Sequence, residues 1–244
     1  MVYMGSKRKL IKHIKPIIEN VIVREKIKNY FEPFVGGCNI IDSIRCKNKF
    51  GNDINKYLIE LLKKQQTGFR FPTNISEDEY NKVNKNRDSY DDWYVGFVGF
   101  CSTFMAGFFN GYGVTNNKPI CSFSIKSLQK QNLKNIILSN GNYYDVEIPD
   151  KSFIYCDPPY RNTTNYNDCI DYDYFYNWCI EKSKNNFILI SEYNMPSDLF
   201  ESILEIEHSI NCSSQRINKT ISYEKLFKVK EDCKNYKIHN LFSV

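Results

Sequence analysis

Apolar residues along the chain follow helical and strand periods in turn. Ser6 precedes apolar positions at helical spacing that include Leu10, Ile14 and Val21, which predicts a capped helix that Pro16 kinks or ends early. Short β-prone segments and further helical segments then alternate through much of the remaining sequence. This alternation predicts an α/β protein.

Two βα units are predicted near the amino terminus. In the first, a strand and a tight glycine turn within residues 30–39 lead to an apolar segment, residues 40–44, that can be helical. In the second, a strand around residues 49–51 leads to a helix over residues 56–66. Because ligands collect at the carboxyl ends of strands in open α/β sheets, the connections after both strands are candidate binding elements.

The second half of the sequence predicts a buried strand followed by further elements. Residues 153–155 form a β-prone run that must stop at Asp157, because Pro158 has no N–H to continue a central ladder. The elements predicted beyond it are a helix over residues 171–183, a strand over 186–193, a short helix from Ser197, and antiparallel edge strands over 205–212, 220–229 and 237–242.

The middle of the chain has a different character. After a polar stretch in which Ser76 and Glu79 have capping-box spacing, residues 93–109 are dense in aromatic side chains and glycine. A turn over residues 109–113 follows, and residues 122–138 read as a helix. We therefore predict a mainly helical insert at 65–138 within a domain built from residues 1–64 and 139–244.

Composition limits the class of protein. The 244 residues are 42% hydrophobic and 15% aromatic, which predicts a folded core, and the formal charge of +5 is compatible with nucleic acid. The nine cysteines include no Cys-x-x-Cys pair, so neither a zinc site nor a disulfide framework is predicted. With no apolar signal core or membrane-length run, we expect a soluble protein of the cytoplasm, with no membrane or metal partner.

The end of the predicted strand at residues 153–155 carries candidate chemistry. Asp157 supplies an acceptor-only carboxylate, and Pro158 and Pro159 stiffen the turn and remove two donors. With the ring of Tyr160 close by, this cluster suits an NH₂ group on a flat ring. The alternative is that Asp157 only caps a loop and Tyr160 covers the edge of the core.

Two amino-terminal features are candidate ligand contacts. Gly5, Ser6 and Lys7 place free N–H groups and a positive charge at a helix start, which suits a carboxylate, although a lysine after a cap is usually only solvated. Asp53, at the end of the second strand, is placed to bind a ribose diol. Either Asp53 or Asn55 could instead be the N-cap of the following helix.

Three strings in this order resemble one family of enzymes. Tyr-x-Gly-Ser-Lys at residues 3–7, Glu-Pro-Phe-x-Gly-Gly at 32–37 with Asn-Asp-Ile-Asn at 52–55, and Asp-Pro-Pro-Tyr at 157–160 are similar to the motifs of Dam-like (D12 class) DNA adenine-N6 methyltransferases. The resemblance implies a Rossmann-like, mostly parallel sheet with antiparallel edge strands and an inserted target-recognition domain. It also implies S-adenosylmethionine as cofactor and double-stranded DNA as substrate.

The same resemblance implies roles for individual residues. The implied catalytic residues are Asp157, Pro158, Pro159 and Tyr160. The implied cofactor-binding residues are Tyr3, Lys7, Glu32, Phe34, Gly36, Asp53, Ile54, Asn142 and Asp157. The implied DNA contacts are Asn110, Tyr112, Asn116, Lys118 and Arg161.

Three positions depart from the pattern of that family. Val114 stands where enzymes that read GATC usually carry an Arg, the commonest bidentate reader of guanine, and this puts GATC specificity in doubt. Cys38 replaces a frequent glycine, and Asn142 replaces an acid that accepts from the adenine amine of the cofactor.

Several alternatives stay open on the sequence. The acceptor could be cytosine N4 or an RNA adenine, or the chain could be a catalytically silent module that binds DNA or cofactor. A bacterial or phage-encoded protein is expected, as a monomer or weak dimer, with a restriction endonuclease as a possible partner.

Overall fold

The structure is a computed structural model that describes residues 1–115, 118–160, 170–210 and 220–234. The described chain forms two compact units, Met1–Glu147 and Ile148–Val244. Within the described ranges, no helix is both long and apolar enough to cross a membrane.

The described strands and helices alternate through much of the chain. The strands are β1 (Asn29–Glu32), β2 (Asn48–Asp53), β3 (Val114–Thr115), β4 (Lys118–Pro119), β5 (Ile136–Asn140), β6 (Ser152–Cys156), β7 (Phe187–Glu192), β8 (Phe200–Ile210) and β9 (Thr220–Val229). The helices are α1 (Ile11–Arg24), α2 (Lys56–Gln66), α3 (Glu77–Lys85), α4 (Asp92–Cys101), α5 (Cys121–Gln129), α6 (Tyr172–Ser183) and α7 (Glu231–Lys234), with 3₁₀ turns at Lys7–Leu10, Arg87–Ser89, Phe104–Ala106 and Tyr143–Asp145.

The first unit is built on three parallel strands in the order β5, β2, β1. Because they are parallel, their carboxyl ends lie at one edge, as the sequence predicted.

Helix α2 has the predicted bounds, and its N-cap is Asn55, whose side chain accepts from the Leu58 N–H at 3.1 Å. Asn55 is therefore the N-cap of α2, and Asp53 does not cap this helix.

Helix α4, which belongs to the predicted insert, packs against α2 in the first unit. A Cβ added to Gly96 would lie 2.0 Å from the carbonyl oxygen of Tyr57, so only glycine allows this approach of the two backbones. Ser76 caps α3 by accepting from the Glu79 N–H at 3.2 Å. The carboxylate of Glu79 accepts from the Tyr94 hydroxyl at 3.1 Å and so links α3 to α4.

In the second unit, β6 and β7 are parallel, and β9 and β8 extend that sheet as antiparallel strands. All five residues of β6 are buried, as expected for the apolar strand that the sequence predicted. Asp171 caps α6 through the Tyr174 N–H at 3.0 Å. The predicted α/β class is confirmed, with mostly parallel strands and an antiparallel edge; the segment 237–242 lies outside the described residues.

Four local predictions are wrong. Residues 40–44 form consecutive turns that bury three isoleucines without a helix, and Ser197 begins a turn in which Pro196 accepts from the Phe200 N–H at 2.9 Å. Helix α1 continues through Pro16 to Arg24, so the predicted early break does not occur.

The fourth error concerns residues 122–138. Helix α5 ends at Gln129 and β5 follows, because Ile136 and Leu138 are buried beside β2 while Ile137 is 60% exposed. That alternation has the strand period of two, and in so short a run it could not be distinguished from a helical pattern. The assignment of residues 65–138 to an inserted domain stays a prediction.

Candidate active site

Asn52 ties together the strand ends of the first unit. Its side-chain amide donates to the carbonyl oxygens of Gly141 at 2.8 Å and of Pro33 at 3.3 Å, while its side-chain oxygen accepts from Ser139 at 2.9 Å. Asn52 is 3% exposed, so these bonds are shielded from water and hold the ends of β1, β2 and β5 together. The string Asn-Asp-Ile-Asn contained this residue, but the sequence alone assigned it no role.

Asp53, the last residue of β2, holds the glycine turn after β1. Its Oδ2 accepts from the Gly36 N–H at 3.0 Å and its Oδ1 from the Asn55 N–H at 2.9 Å. Asp53 therefore links the end of β2 to the glycine turn through its carboxylate. The apolar side chain of Ile54 follows directly and is 54% exposed.

The turn at Gly36 and Gly37 is shaped by Tyr3. Gly36 has a φ of +47°, and a Cβ there would lie 2.8 Å from the Tyr3 ring, while a Cβ on Gly37 would lie 2.8 Å from the Tyr3 Cβ. Cys38 also has a positive φ, +55°, which suits glycine better than a side-chain-bearing residue. This backbone requirement explains physically why a glycine would fit at position 38.

The other predicted cofactor residues of the first unit lie on the same connections. Glu32 ends β1, is buried, and accepts from the Tyr30 hydroxyl at 2.6 Å. The Phe34 ring packs at 5.0 Å from the ring of Tyr143, which directly follows Asn142. The Nζ atom of Lys7 donates to the Gly5 carbonyl at 3.2 Å, and Lys7 is buried in its 3₁₀ turn. The reading of Lys7 as a solvated lysine is therefore wrong.

Gln131 stabilises the glycine turn by donating hydrogen bonds to its backbone carbonyls. Its buried side-chain amide donates to the carbonyl oxygens of Gly37 at 2.8 Å and Cys38 at 3.2 Å. No feature of the sequence indicated this role, because Gln131 lies between α5 and β5, 93 and 94 residues beyond its partners.

We expect Gln131→Ala to lower the free energy of unfolding by about 1–3 kcal/mol, because buried carbonyls lose a donor. Urea denaturation measures the change. The control is Gln129→Ala, at an exposed position of α5, which should stay within about 0.5 kcal/mol. An equal effect of both changes would contradict a specific contribution of Gln131 to the turn.

In the second unit, the Asp-Pro-Pro-Tyr string follows buried β6 directly. Asp157 and Tyr160 are both partly exposed at this strand end, and Pro158 is buried between them. The Tyr160 hydroxyl donates to Glu224 Oε1 on β9, and its ring meets that of Tyr193 edge-on at a centroid distance of 4.6 Å and an angle of 75°. Burial raises the pKa of Tyr160 well above its usual value, and the carboxylates Asp157 and Glu224 raise it further, so this hydroxyl stays protonated.

A second tyrosine holds the other proline of the motif. The Tyr172 hydroxyl, at the start of α6, donates to the Pro159 carbonyl and lies 3.4 Å from Glu192 Oε2. Glu192 ends β7, and its Oε1 accepts from the Tyr193 N–H at 2.8 Å. The sequence showed Glu192 at the end of the apolar run of β7. No sequence pattern indicated that Glu224 or Tyr172 would contact the Asp-Pro-Pro-Tyr string.

The predicted DNA-contacting turn lies in the first unit. Asn110 is exposed, and its backbone N–H donates to Thr103 Oγ1 at 2.8 Å. The preceding Phe109 ring stacks under the guanidinium of Arg87 at 4.7 Å. Tyr112 differs from the expectation of an open base contact, because its hydroxyl donates to the Ile75 carbonyl at 2.6 Å.

The remaining predicted contacts are only partly described. Val114 is 47% exposed on β3, which pairs antiparallel with β4 containing Lys118. Asn116 and Arg161 lie outside the described residues. In the described ranges, no three His, Cys, Asp or Glu side chains are close enough to hold a metal ion.

The acid at the end of β2 and the acid-proline turn after β6 are acceptor-bearing strand ends in an α/β protein. Residues 3–95 match the family model described as D12 class N6 adenine-specific DNA methyltransferase. The predicted family resemblance is confirmed.

Three relatives have names that describe them as methyltransferases or methylases. The chain is 25% identical over 207 residues to Type II methyltransferase M.FokI of Planomicrobium okeanokoites, covering 68% of this chain and 29% of the relative. It is 24% identical over 275 residues to Type II methyltransferase M.MjaIII of Methanocaldococcus jannaschii, covering 88% and 93%. Modification methylase StsI of Streptococcus sanguinis is 25% identical over 196 residues, with 68% and 29% covered. The chain thus spans less than a third of M.FokI and StsI but nearly all of M.MjaIII.

Proposed function

We propose that this protein transfers a methyl group from S-adenosylmethionine to the N6 amine of an adenine in a short specific sequence of double-stranded DNA. The observation that carries the proposal is the position of Asp157, at the end of a fully buried parallel strand and beside a tyrosine whose hydroxyl is anchored. The family match and the three relatives support the same chemistry.

The first unit supplies groups that fit the cofactor. The Asp53 carboxylate has lone pairs for ribose hydroxyls, and the exposed Ile54 side chain offers an apolar face for the adenine ring. The glycine turn allows close approach of a ligand to the backbone. Tyr3, Lys7, Glu32, Phe34 and Asn142 are the other proposed cofactor contacts of the first unit.

The chemical step places a methyl group on a poor nucleophile, because the N6 lone pair is delocalised into the purine ring. S-adenosylmethionine, when bound, supplies an electrophilic methyl on a positively charged sulfur. The Asp157 carboxylate and the Pro158 carbonyl each accept a hydrogen bond from N6, which localises the lone pair toward that methyl. A bound cofactor would supply the methyl group and keep the C–S bonding electrons, leaving as a neutral thioether, while Asp157 or water would accept the proton that N6 loses.

The acceptor base must leave the duplex to reach this site. Flipping an adenine costs about a few kcal/mol, which stacking on the Tyr160 ring partly offsets. Asn110 and Tyr112 are proposed to contact base edges or phosphates; the exposure of Asn110 supports this, and the Tyr112 hydroxyl donates to the Ile75 carbonyl. Asn116, Lys118 and Arg161 are proposed as further DNA contacts, within a recognition segment at 65–138 inserted between residues 1–64 and 139–244.

The biological setting belongs to the same proposal. The protein would act in the cytoplasm of a bacterium, from a bacterial or phage gene, as a monomer or weak dimer. A restriction endonuclease is the expected partner if it protects DNA as a modification enzyme.

Incubation with S-adenosylmethionine labelled on the methyl group and mixed-sequence duplex DNA tests the proposal. After digestion to nucleosides, we expect the label on N6-methyladenine. Parallel reactions with RNA and with single-stranded DNA separate the possible acceptors. Label on N4-methylcytosine, label on RNA alone, or no transfer to any substrate would each contradict the proposed function.

A further inference from the structure

Two buried carboxylates hold the Asp-Pro-Pro-Tyr turn within the second unit. Glu192 and Glu224 are each 2% exposed, although acids are rarely buried unless their oxygens are paired or hydrogen-bonded. Glu224 accepts from the Tyr160 hydroxyl, and Glu192 lies within 3.4 Å of the Tyr172 hydroxyl, which itself donates to the Pro159 carbonyl. Glu224 therefore contacts the motif through Tyr160, and Glu192 lies beside the tyrosine that contacts Pro159.

The contact from Glu224 fixes the direction of the Tyr160 ring. A phenol hydroxyl has one proton to donate, and here that proton goes to a carboxylate, a stronger acceptor than a neutral oxygen. The ring is also packed edge-on against Tyr193. Contacts at the hydroxyl and at the ring together restrict both the tilt and the reach of the side chain.

A purely structural role does not account well for the burial of an acid at position 224. The flanking residue Lys225 pairs with Glu205 at 3.1 Å across β8 and β9, where Glu205 is about half exposed and the charge is solvated. Glu224 lies on the buried side of the same strand, where an apolar residue would complete the core without a desolvation cost. The hydrogen bond that Glu224 accepts from the Tyr160 hydroxyl explains a carboxylate at this position.

We infer that Glu224 is a positioning residue for methyl transfer, acting through the Tyr160 hydroxyl to orient the ring that receives the flipped base. This inference rests on the proposed function.

The test is a double-mutant cycle with three variants of the full chain. Glu224→Ala removes the acceptor, Tyr160→Phe removes the donor while keeping the ring, and Glu224→Gln keeps a neutral acceptor of the same shape. We expect Glu224→Ala and Tyr160→Phe each to lower kcat on duplex DNA by about 10–100-fold, because a misplaced group loses alignment in the transition state. Glu224→Gln should recover most of that loss.

The double variant Tyr160→Phe with Glu224→Ala should be no slower than the slower single variant, since both changes break one contact. Affinity for S-adenosylhomocysteine, measured by calorimetry, should stay within about twofold, so that the loss appears in kcat rather than in cofactor binding. Glu205→Gln on the neighbouring strand is the matched control and should leave kcat unchanged.

Two results would overturn the inference. Losses that multiply in the double variant would mean that Glu224 and Tyr160 act independently. An unchanged kcat in Tyr160→Phe, or in Glu224→Ala with only its thermal unfolding temperature lowered, would mean that the contact is merely structural. Because all comparisons are made against an active wild-type protein, an inactive wild type would instead refute the proposed function.

Discussion

Asp157→Ala should lower methyl transfer to duplex DNA by at least about 10³-fold, the size of effect seen when a charge-stabilising group is removed from a reacting centre. The carboxylate is the one ionised acceptor within the Asp-Pro-Pro-Tyr string, and nothing in an alanine side chain can accept the N6 proton. Affinity for S-adenosylhomocysteine should remain measurable, because most proposed cofactor contacts come from the first unit.

The measurement is single-turnover transfer of labelled methyl to DNA, with cofactor affinity determined by calorimetry. Asp157→Asn is the informative companion, because it keeps a carbonyl acceptor but loses the charge, and its rate should lie between those of Asp157→Ala and the wild type. Asp198→Asn, in an exposed turn of the same unit, serves as the control with unchanged rate. Wild-type activity in Asp157→Ala would refute the assignment of this residue.

The largest expected effect on stability comes from Gly96→Ala. The added Cβ would lie 2.0 Å from the backbone carbonyl oxygen of Tyr57, and backbone of a packed helix cannot move aside cheaply. Alanine gains about 1 kcal/mol in helix propensity, but overpacking of this kind costs about 3 kcal/mol or more. We therefore expect a net loss of about 2 kcal/mol in the free energy of unfolding.

Gly99→Ala is a matched comparison on the same helix. Its Cβ would meet the rings of Phe108 and Phe109 at 2.6 and 2.7 Å, and side chains can rotate where backbone cannot. Urea denaturation should therefore show a smaller loss for Gly99→Ala than for Gly96→Ala. The reverse order would contradict the close backbone contact between α2 and α4.

That contact also bears on the predicted insert. Residues 65–138 were separated from the catalytic domain on composition, yet α4 packs directly on α2 within one compact unit. If the recognition segment is an insert, it packs directly on helix α2 of the domain into which it is inserted. A destabilising change at Gly96 should then weaken the cofactor site as well as the DNA-contacting turn.

The elements that were predicted correctly depend on sequence patterns only a few residues long. The helix over residues 56–66 and the stop of β6 before Pro158 each follow from local rules of hydrogen bonding and backbone geometry, whereas the choice between Asp53 and Asn55 as the N-cap was decided by the structure. Residues 122–138 show the limit of such rules. Their short apolar run fitted a helix as well as a strand until pairing with β2 decided it.

For the candidate site, the sequence by itself determined which groups are proposed to react. An acid, two prolines and a tyrosine in series define an acceptor cluster through their own covalent chemistry, and Gly36 and Asp53 are chemically suited to a cofactor. The roles of Asn52, Gln131 and Glu224 were decided only by the tertiary structure. Gln131 lies 94 residues from Gly37, and Glu224 lies 64 residues from Tyr160. Hydrogen bonds between such distant positions depend on strand order and packing, which no local pattern encodes.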